Sequence, residues 1–576
     1  MLYGLERLGS KSHTDTSGER GVALVEGESD CHTLWQAGFG ALGLPGAASW
    51  REAWANEIDG IDAIFIVIEP DDGGAAVLRW LANSAIRDRA RLVRLDSFKD
   101  PSELYLADRE HFRQRWRAAL DTAVPFGEFE KIELAARTEK AWRRCAPLAR
   151  EPRILDRFAE SVSRVVAGEE RIVKVLYLAL TSRLLDNLVS VAVKGPSSGG
   201  KSWTVEQVLA YFPPDAYHAL SAMSEHALAY GDEPLSHRFL VLYEAAALDG
   251  DFASYLLRSL LSEGRVRYET VEKTSEGLRP KLIEREGPTG LLVTTTAVSL
   301  HPENETRLLS LTVTDSPAQT RAVLSAIAKE HRISPDLSDW LALQTWLAAC
   351  DNRVTIPFAD RLAGAFPVDA VRFRRDFGAV LNLIRAHALL HQASRERDQA
   401  GWIVASLDDY RVVRDLVEDL VADGAGLTVS ATVRETVEGV ICLGAPETGV
   451  TVSALASHMQ LDQSAAWRRV QVAVRHGHLR NLEDRPRRPA RLVLGDPLPD
   501  ERPIMPEAES LQVCASIGGG DAHATAGSVD RARGSFDLSV EQDYPPGAWD
   551  VDAEEDDPQA SLWLSGPLPA PAGAGA

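Results

Sequence analysis

Eight consecutive residues carry the clearest chemistry in this sequence: Gly195-Pro196-Ser197-Ser198-Gly199-Gly200-Lys201-Ser202. They satisfy the spacing G-x-x-x-x-G-K-[ST] in full. Glycines and small side chains let backbone N–H groups close around phosphate oxygens. A helix that starts at the loop turns its positive end toward the same phosphates. The apolar run Leu188 to Lys194 predicts a buried strand before the loop, and the residues from Trp203 predict the helix after it. In that setting all eight residues are expected to bind ATP, with Lys201 at the β- and γ-phosphates and Ser202 on Mg²⁺.

Hydrolysis also needs an acid and charge sensors at the ends of neighbouring strands. Phe239 to Tyr243 predicts a second strand, which ends in Glu244, the candidate for polarising the attacking water. Tyr243 stands where an Asp usually precedes such a Glu. Gly290 to Thr295 predicts a third strand, and Thr295 is the candidate sensor of the γ-phosphate. Arg307 lies shortly beyond and suits an arginine finger offered to a neighbouring subunit, with a surface salt bridge as the competing reading.

A second cluster is carboxylic. Glu26 ends the apolar run Gly21 to Val25, and Glu69-Pro70-Asp71 ends the run Ala63 to Ile68. Helical stretches Asp30 to Gly38 and Ala75 to Ser84 alternate with these runs and with short strands at Ala41 to Leu44 and Ala90 to Leu95. Such alternation predicts a parallel sheet, whose sites form at the carboxyl ends of the strands. Glu26, Glu69 and Asp71 would converge there. Clustered carboxylates repel unless a proton or a metal intervenes, and hard cations such as Mg²⁺ take oxygen ligands.

Bulk properties bound the rest. The chain of 576 residues has room for several cores, and its net charge of −22 is uneven. Residues 501–576 hold 14 acids against 3 bases in a Pro-, Gly- and Ala-rich stretch, so disorder is expected there. The five cysteines are scattered singly, without zinc or disulfide spacing. No apolar run reaches the length of a membrane span and the N-terminus lacks a signal-peptide layout, so a cytoplasmic location is expected. Near the C-terminus, Val452 to Gln460 and Gln463 to His476 read as helices, and His478 to Leu482 and Arg491 to Leu494 as strands. Residues 451–495 carry eight arginines against three acids; Arg468, Arg469 and Arg475 fall on or near the second helix, and Arg487 and Arg488 at the strand tip. Those five are the candidates for phosphate contacts with nucleic acid.

Three resemblances follow from these motifs. Residues 165–420 resemble the AAA+ motors, including helicase-like ATPases of mobile elements, with Ser259 to Glu269 and Gly287 to Thr296 similar to their hairpin and sensor region. That likeness implies a homo-oligomeric ring with ATP sites between subunits. Residues 20–108 look like a TOPRIM domain of the bacterial primase type: Glu26 matches its first carboxylate, Glu69 and Asp71 its acid-x-acid pair, and Lys99-Asp100-Pro101 a further primase feature. The C-terminal arginine-rich unit resembles a winged helix. Primases of this type carry a zinc module and a polymerase half ahead of the TOPRIM fold, for which residues 1–19 leave no room. Either the start is truncated or those parts are a separate primase or replication partner, and priming by this chain alone is not expected.

The expected fold class is α/β: a TOPRIM-like parallel sheet over 1–108, a helical connector over 109–164, a P-loop ATPase core of AAA+ type over 165–360, a helical lid over 361–425, a winged helix over 426–498 and a disordered acidic tail over 499–576. The expected function is Mg²⁺-dependent ATP hydrolysis by a motor on single-stranded or forked DNA, as in a primase-helicase-like replication protein. The alternatives are a TOPRIM nuclease gated by an ATPase, and an ATP-switched DNA-binding or loading protein that does not unwind.

Overall fold

The apolar runs build two parallel sheets, each buried on both faces. The structure, a computed structural model, describes residues 1–512 apart from 9–12, 15–19, 96, 225–226, 232, 245–250, 275–276, 297–301, 329–334, 369, 425–430, 445–448, 484, 486–487 and 499–502. No helix among the described residues is long and apolar enough to cross a membrane.

The first sheet contains β1 (Arg20–Glu26), β2 (Ala41–Leu44), β3 (Ala63–Val67) and β4 (Ala90–Val93). Its parallel part runs in the order β2-β1-β3-β4. Period-two alternation sends Val22, Leu24, Ile64 and Ile66 to one face and Ala23, Val25, Phe65 and Val67 to the other. Helices α1 (Glu28–Gln36) and α2 (Asp72–Leu81) follow the strands that end in Glu26 and Glu69. This core extends beyond residue 108. Phe112 and Trp116 of α3 (Phe112–Asp121) are buried on one face, and Phe126 is buried on the other. The connector therefore begins with α4 (Phe126–Ala149), whose far end packs into the second core through Cys145 and Ala149.

The second sheet follows α5 (Ile154–Val162) and α6 (Glu170–Thr181). It comprises β5 (Val191–Lys194), then α7 (Lys201–Leu209), β6 (Tyr217–Leu220) and β7 (Arg238–Leu242). After α8 (Asp251–Glu263) come the hairpin strands β8 (Arg265–Thr274) and β9 (Gly277–Glu286), then β10 (Thr289–Thr295) and β11 (Leu309–Thr312). The strand order is β11-β5-β10-β7-β6, all parallel. The hairpin corrects the sequence reading: Ser259 to Glu263 close α8, and the ribbon runs from Arg265 to Glu286. Its second strand is exposed along most of its length, Leu278 and Leu282 included, so no buried face announces it.

After β11, α9 (Pro317–Ala328) buries no residue, whereas α10 (Ser338–Ala349), α11 (Phe373–Leu390) and α12 (Leu407–Gly424) complete the main core. Leu383, Ile384, Val413 and Val417 share one apolar cluster with Val191, Val205 and Leu176. Residues 361–425, expected as a helical lid, thus share the apolar core that packs against the second sheet. The small C-terminal unit has its own core of Val437, Leu455, Val470, Leu479 and Leu492. It comprises α13 (Ala431–Cys442), α14 (Val452–His458), α15 (Gln463–Arg475), β12 (Leu479–Asn481) and β13 (Leu492–Leu494), the last two antiparallel.

Residues 503–512, expected to belong to a disordered tail, fold back onto α12. Met505, Ala508 and Leu511 are buried in the main core. Tyr410 Oη donates to the Pro506 carbonyl at 2.6 Å, and Arg411 and Arg414 pair with Glu509 and Glu507. The remainder of the expected tail lies outside the described residues. Truncation after Gln512 is expected to leave the melting temperature unchanged. Truncation after Asp500 removes two large buried side chains, each contributing about 2 kcal/mol, and is expected to lower Tm by roughly 5–10 °C. Calorimetry on the two truncations checks this.

Candidate functional site

Three parallel strands bring the Gly195 loop and Glu244 to one sheet edge. Strand β10 lies between β5 and β7, so its end touches both. The Thr295 carbonyl accepts from Gly195 N at 3.2 Å. Thr294 Oγ1 accepts from Glu244 N at 3.1 Å. The polar side chain beside Glu244 is therefore Thr294. Consecutive strand residues point to opposite faces, so Thr295 contributes to the loop through its backbone.

The loop is shaped by its sequence. Gly195 has φ 155° and Gly200 φ 78°, and a Cβ on Gly195 would lie 2.2 Å from Val313. Ser198 and Glu244 adopt φ 64° and 75° without being glycine. Such conformations cost about 1–3 kcal/mol each and cluster at functional sites. Lys201 opens α7 and is only 5% exposed. Its ammonium donates to the Gly195 and Pro196 carbonyls at 3.2 and 2.8 Å, folded over the loop. Burial lowers its pKa; Glu244 opposes that shift and Arg468 adds to it. Ser202 occupies the second position of α7. Lys194, just before the loop, pairs with Glu305. Arg307 donates to Ser262 Oγ at 2.8 Å, and burial together with Arg375 and Arg258 lowers its pKa.

Four residues after β11 join this site to the rest of the chain. Val313 abuts Gly195, Thr314 donates to Glu169, Asp315 pairs with Arg469, and Ser316 hydrogen-bonds the start of α9. Arg469 is 9% exposed and held between Asp315 and Glu435. The sequence reading gave Arg469 to nucleic acid; the structure pairs it with Asp315, just after the second sheet, and with Glu435 of the C-terminal unit. Its neighbour Arg468 has no ion pair or hydrogen bond among the described residues. Arg475 and Arg488 are exposed, and Arg487 lies outside the described residues.

At the first sheet the predicted carboxylates do converge. An atom placed at the Cβ position of Gly73 would lie 2.9 Å from Asp71 Oδ1 and 3.1 Å from both Glu26 carboxyl oxygens. Lys99 Nζ bridges Glu69 Oε2 at 2.9 Å and Asp71 Oδ2 at 3.1 Å. Sequence reasoning gave Lys99 no role in the charge balance. Asp71 also caps α2 through Gly73 N and Gly74 N. Hydrogen bonds from Lys99, Gly74 and Gly73 lower its pKa. Burial, reinforced by Glu69 and Asp71, raises that of Glu26. Glu26 Oε1 is buried without a hydrogen-bond partner, which fits a cation donor set. Asp30, Glu69 and Asp100 form a second group whose oxygens lie within 4.8 Å of one another. Asp30 is already occupied by Ser102 N and Oγ, and Asp100 caps Glu103 N.

A scan against protein-family models and a search of the curated proteins returned no match.

Two predictions follow from these charges. Glu169 is buried and its carboxyl is pushed up to about 7 by burial, against hydrogen bonds from Thr314. A raised carboxyl favours the folded state fully below the ordinary value of 4.5 and loses that advantage as pH rises through about 7. Stability should therefore fall by about 3 kcal/mol between pH 5 and 8, and Glu169→Gln should flatten that decline in a Tm–pH series. At the first sheet, Lys99→Met frees two carboxylates, Glu69 and Asp71, beside the unpartnered Glu26. Added Mn²⁺ is expected to raise the Tm of this variant by more than that of the wild type, and Glu69→Gln with Asp71→Asn to abolish the rise.

Proposed function

We propose that this chain is a Mg²⁺-dependent ATP hydrolase of the P-loop class, acting on DNA as a helicase-like motor. The observation that carries the reading is the loop Gly195 to Ser202 set against the strained Glu244, with β10 between them. Among the described residues, the resting Lys201 ammonium donates to loop carbonyls and forms no ion pair, so it can turn to a triphosphate without breaking one. The loop's N–H groups and the start of α7 would hold the phosphates. Ser202 would ligate Mg²⁺, which neutralises charge on the transferred phosphoryl group. Glu244 carries the acid that would orient the attacking water, and Thr294 fixes its backbone. Arg307, beside Arg258 and Arg375, remains the candidate finger in a ring.

The strand order with β10 inserted between β5 and β7 supports an AAA+ type motor. The convergent Glu26, Glu69 and Asp71 support a TOPRIM-like domain that would hold Mg²⁺ once Lys99 has moved aside. The C-terminal unit supports a winged helix, and its exposed Arg475, Arg480, Arg485 and Arg488 suit phosphate contacts. The unpartnered Glu26 Oε1 favours a second reading, a metal-dependent nuclease gated by the motor.

Lys201→Ala is expected to abolish ATP hydrolysis at unchanged Tm, because its side chain contacts the loop and not an apolar core. Glu244→Gln is expected to keep ATP binding and lower turnover about 10²-fold or more. Rates with and without single-stranded DNA, measured alongside strand displacement and plasmid nicking, separate a motor from a gated nuclease and from a loading switch. Hydrolysis by Lys201→Ala at the wild-type rate would refute the assignment of the loop.

A further inference from the structure

A second charged cavity lies at the opposite end of the motor sheet from the Gly195 loop. It has a volume of about 470 Å³ and is lined by Arg137, Arg183, Asp215, His237, Arg238 and Asn352, among others. Arg238 opens β7, whereas Glu244 follows its other end, so the cavity sits at the amino ends of the strands.

Arg183 is the feature that needs explaining. Its side chain is 3% exposed, yet it makes no ion pair among the described residues. Its partners are neutral: Gln344 Oε1 at 2.8 Å, the Leu180 and Gln344 carbonyls at 3.4 and 3.5 Å, and the Phe212 ring at 5.4 Å. A buried guanidinium whose hydrogen-bond partners are all neutral is costly and favours an anion. Burial pulls its pKa down to about 10, against the opposing charge of Asp215. Of the charged groups that line the cavity, three are arginines and one is a carboxylate. Arg137, on α4, has no partner among the described residues. Arg238 is paired with Glu233 at 3.1 Å, and Asp215 is the one carboxylate in the lining. His237 is held at φ 57°, a strained conformation for a non-glycine residue. Its Nδ1 lies 2.8 Å from the Arg183 carbonyl, which can only accept, so Nδ1 carries the proton. Asn352 Oδ1 is buried with no partner.

We propose that this cavity binds a small phosphorylated molecule, its phosphate held by Arg183 with Arg137 and Arg238. Guanidinium forks match phosphate oxygens in pairs, and the volume admits a whole small ligand. Phosphates recognised here would be bound independently of those at Gly195 to Ser202, since the two sites lie at opposite ends of β7.

The test uses the full chain and inorganic pyrophosphate, with hydrogen–deuterium exchange as a site-resolved readout. Pyrophosphate is expected to slow exchange in residues 182–185 and 345–352, and to do so equally in Lys201→Ala. Arg183→Gln is a poor probe, since it unpicks Gln344 and Leu180. Arg137→Glu changes an exposed side chain and is expected to weaken the pyrophosphate effect at 182–185 about tenfold, the loss of one charge-assisted contact. Protection confined to residues 195–202, or protection at 182–185 unaltered by Arg137→Glu, would overturn the proposal.

Discussion

The register of β10 between β5 and β7 is the constraint on which the candidate site depends. One strand end delivers the carbonyl that fixes Gly195 and the hydroxyl that fixes Glu244. Without that pairing the Gly195 loop and Glu244, separated in sequence by α7 and the two strands β6 and β7, have no common edge. The strand is fully buried from Thr289 to Thr295, so a slip of one residue would turn every side chain to the wrong core. The hydrophobic packing of the second sheet therefore also sets the positions of its polar groups.

A second theme is that cations occupy positions next to the candidate chemistry. Lys99 spans Glu69 and Asp71, and Lys201 lies over its own loop. Arg469 spans Asp315 and Glu435, and Arg183 waits among neutral acceptors. The first three are satisfied internally and must exchange partners to bind anything else. Such exchange costs little for the exposed Lys99 and more for the buried Arg469, because desolvation has already been met there by two carboxylates. Arg469 is thus a structural tie between the C-terminal unit and the segment after the second sheet. Arg468, one residue earlier, makes no ion pair or hydrogen bond among the described residues, and its charge acts on Lys201.

The segment Val313 to Ser316 concentrates these connections. It follows the edge strand β11, abuts the Gly195 loop, and holds Glu169 and Arg469. Any rearrangement of the loop on binding phosphate would be felt there first, since Val313 fills the space that a Cβ on Gly195 would need.

The sequence by itself determined the two parallel sheets, the Gly195 to Ser202 loop and the convergence of Glu26, Glu69 and Asp71. Each rests on local signals: alternation of period two, glycine spacing, and acids placed directly after apolar strands. It could not reveal the long hairpin, because Gly277 to Glu286 is exposed along most of its length and its apolar Leu278 and Leu282 meet no core. Nor could it assign 361–425 and 503–512 to the main core, since helices with apolar stripes do not say which surface they will cover. Thr294 rather than Thr295, Lys99 as the ion between carboxylates, and Arg469 as a buried tie were decided by tertiary structure alone. A side chain's charge is written in the sequence. Its partner and its burial depend on which distant elements pack against it, and those are set by the fold as a whole.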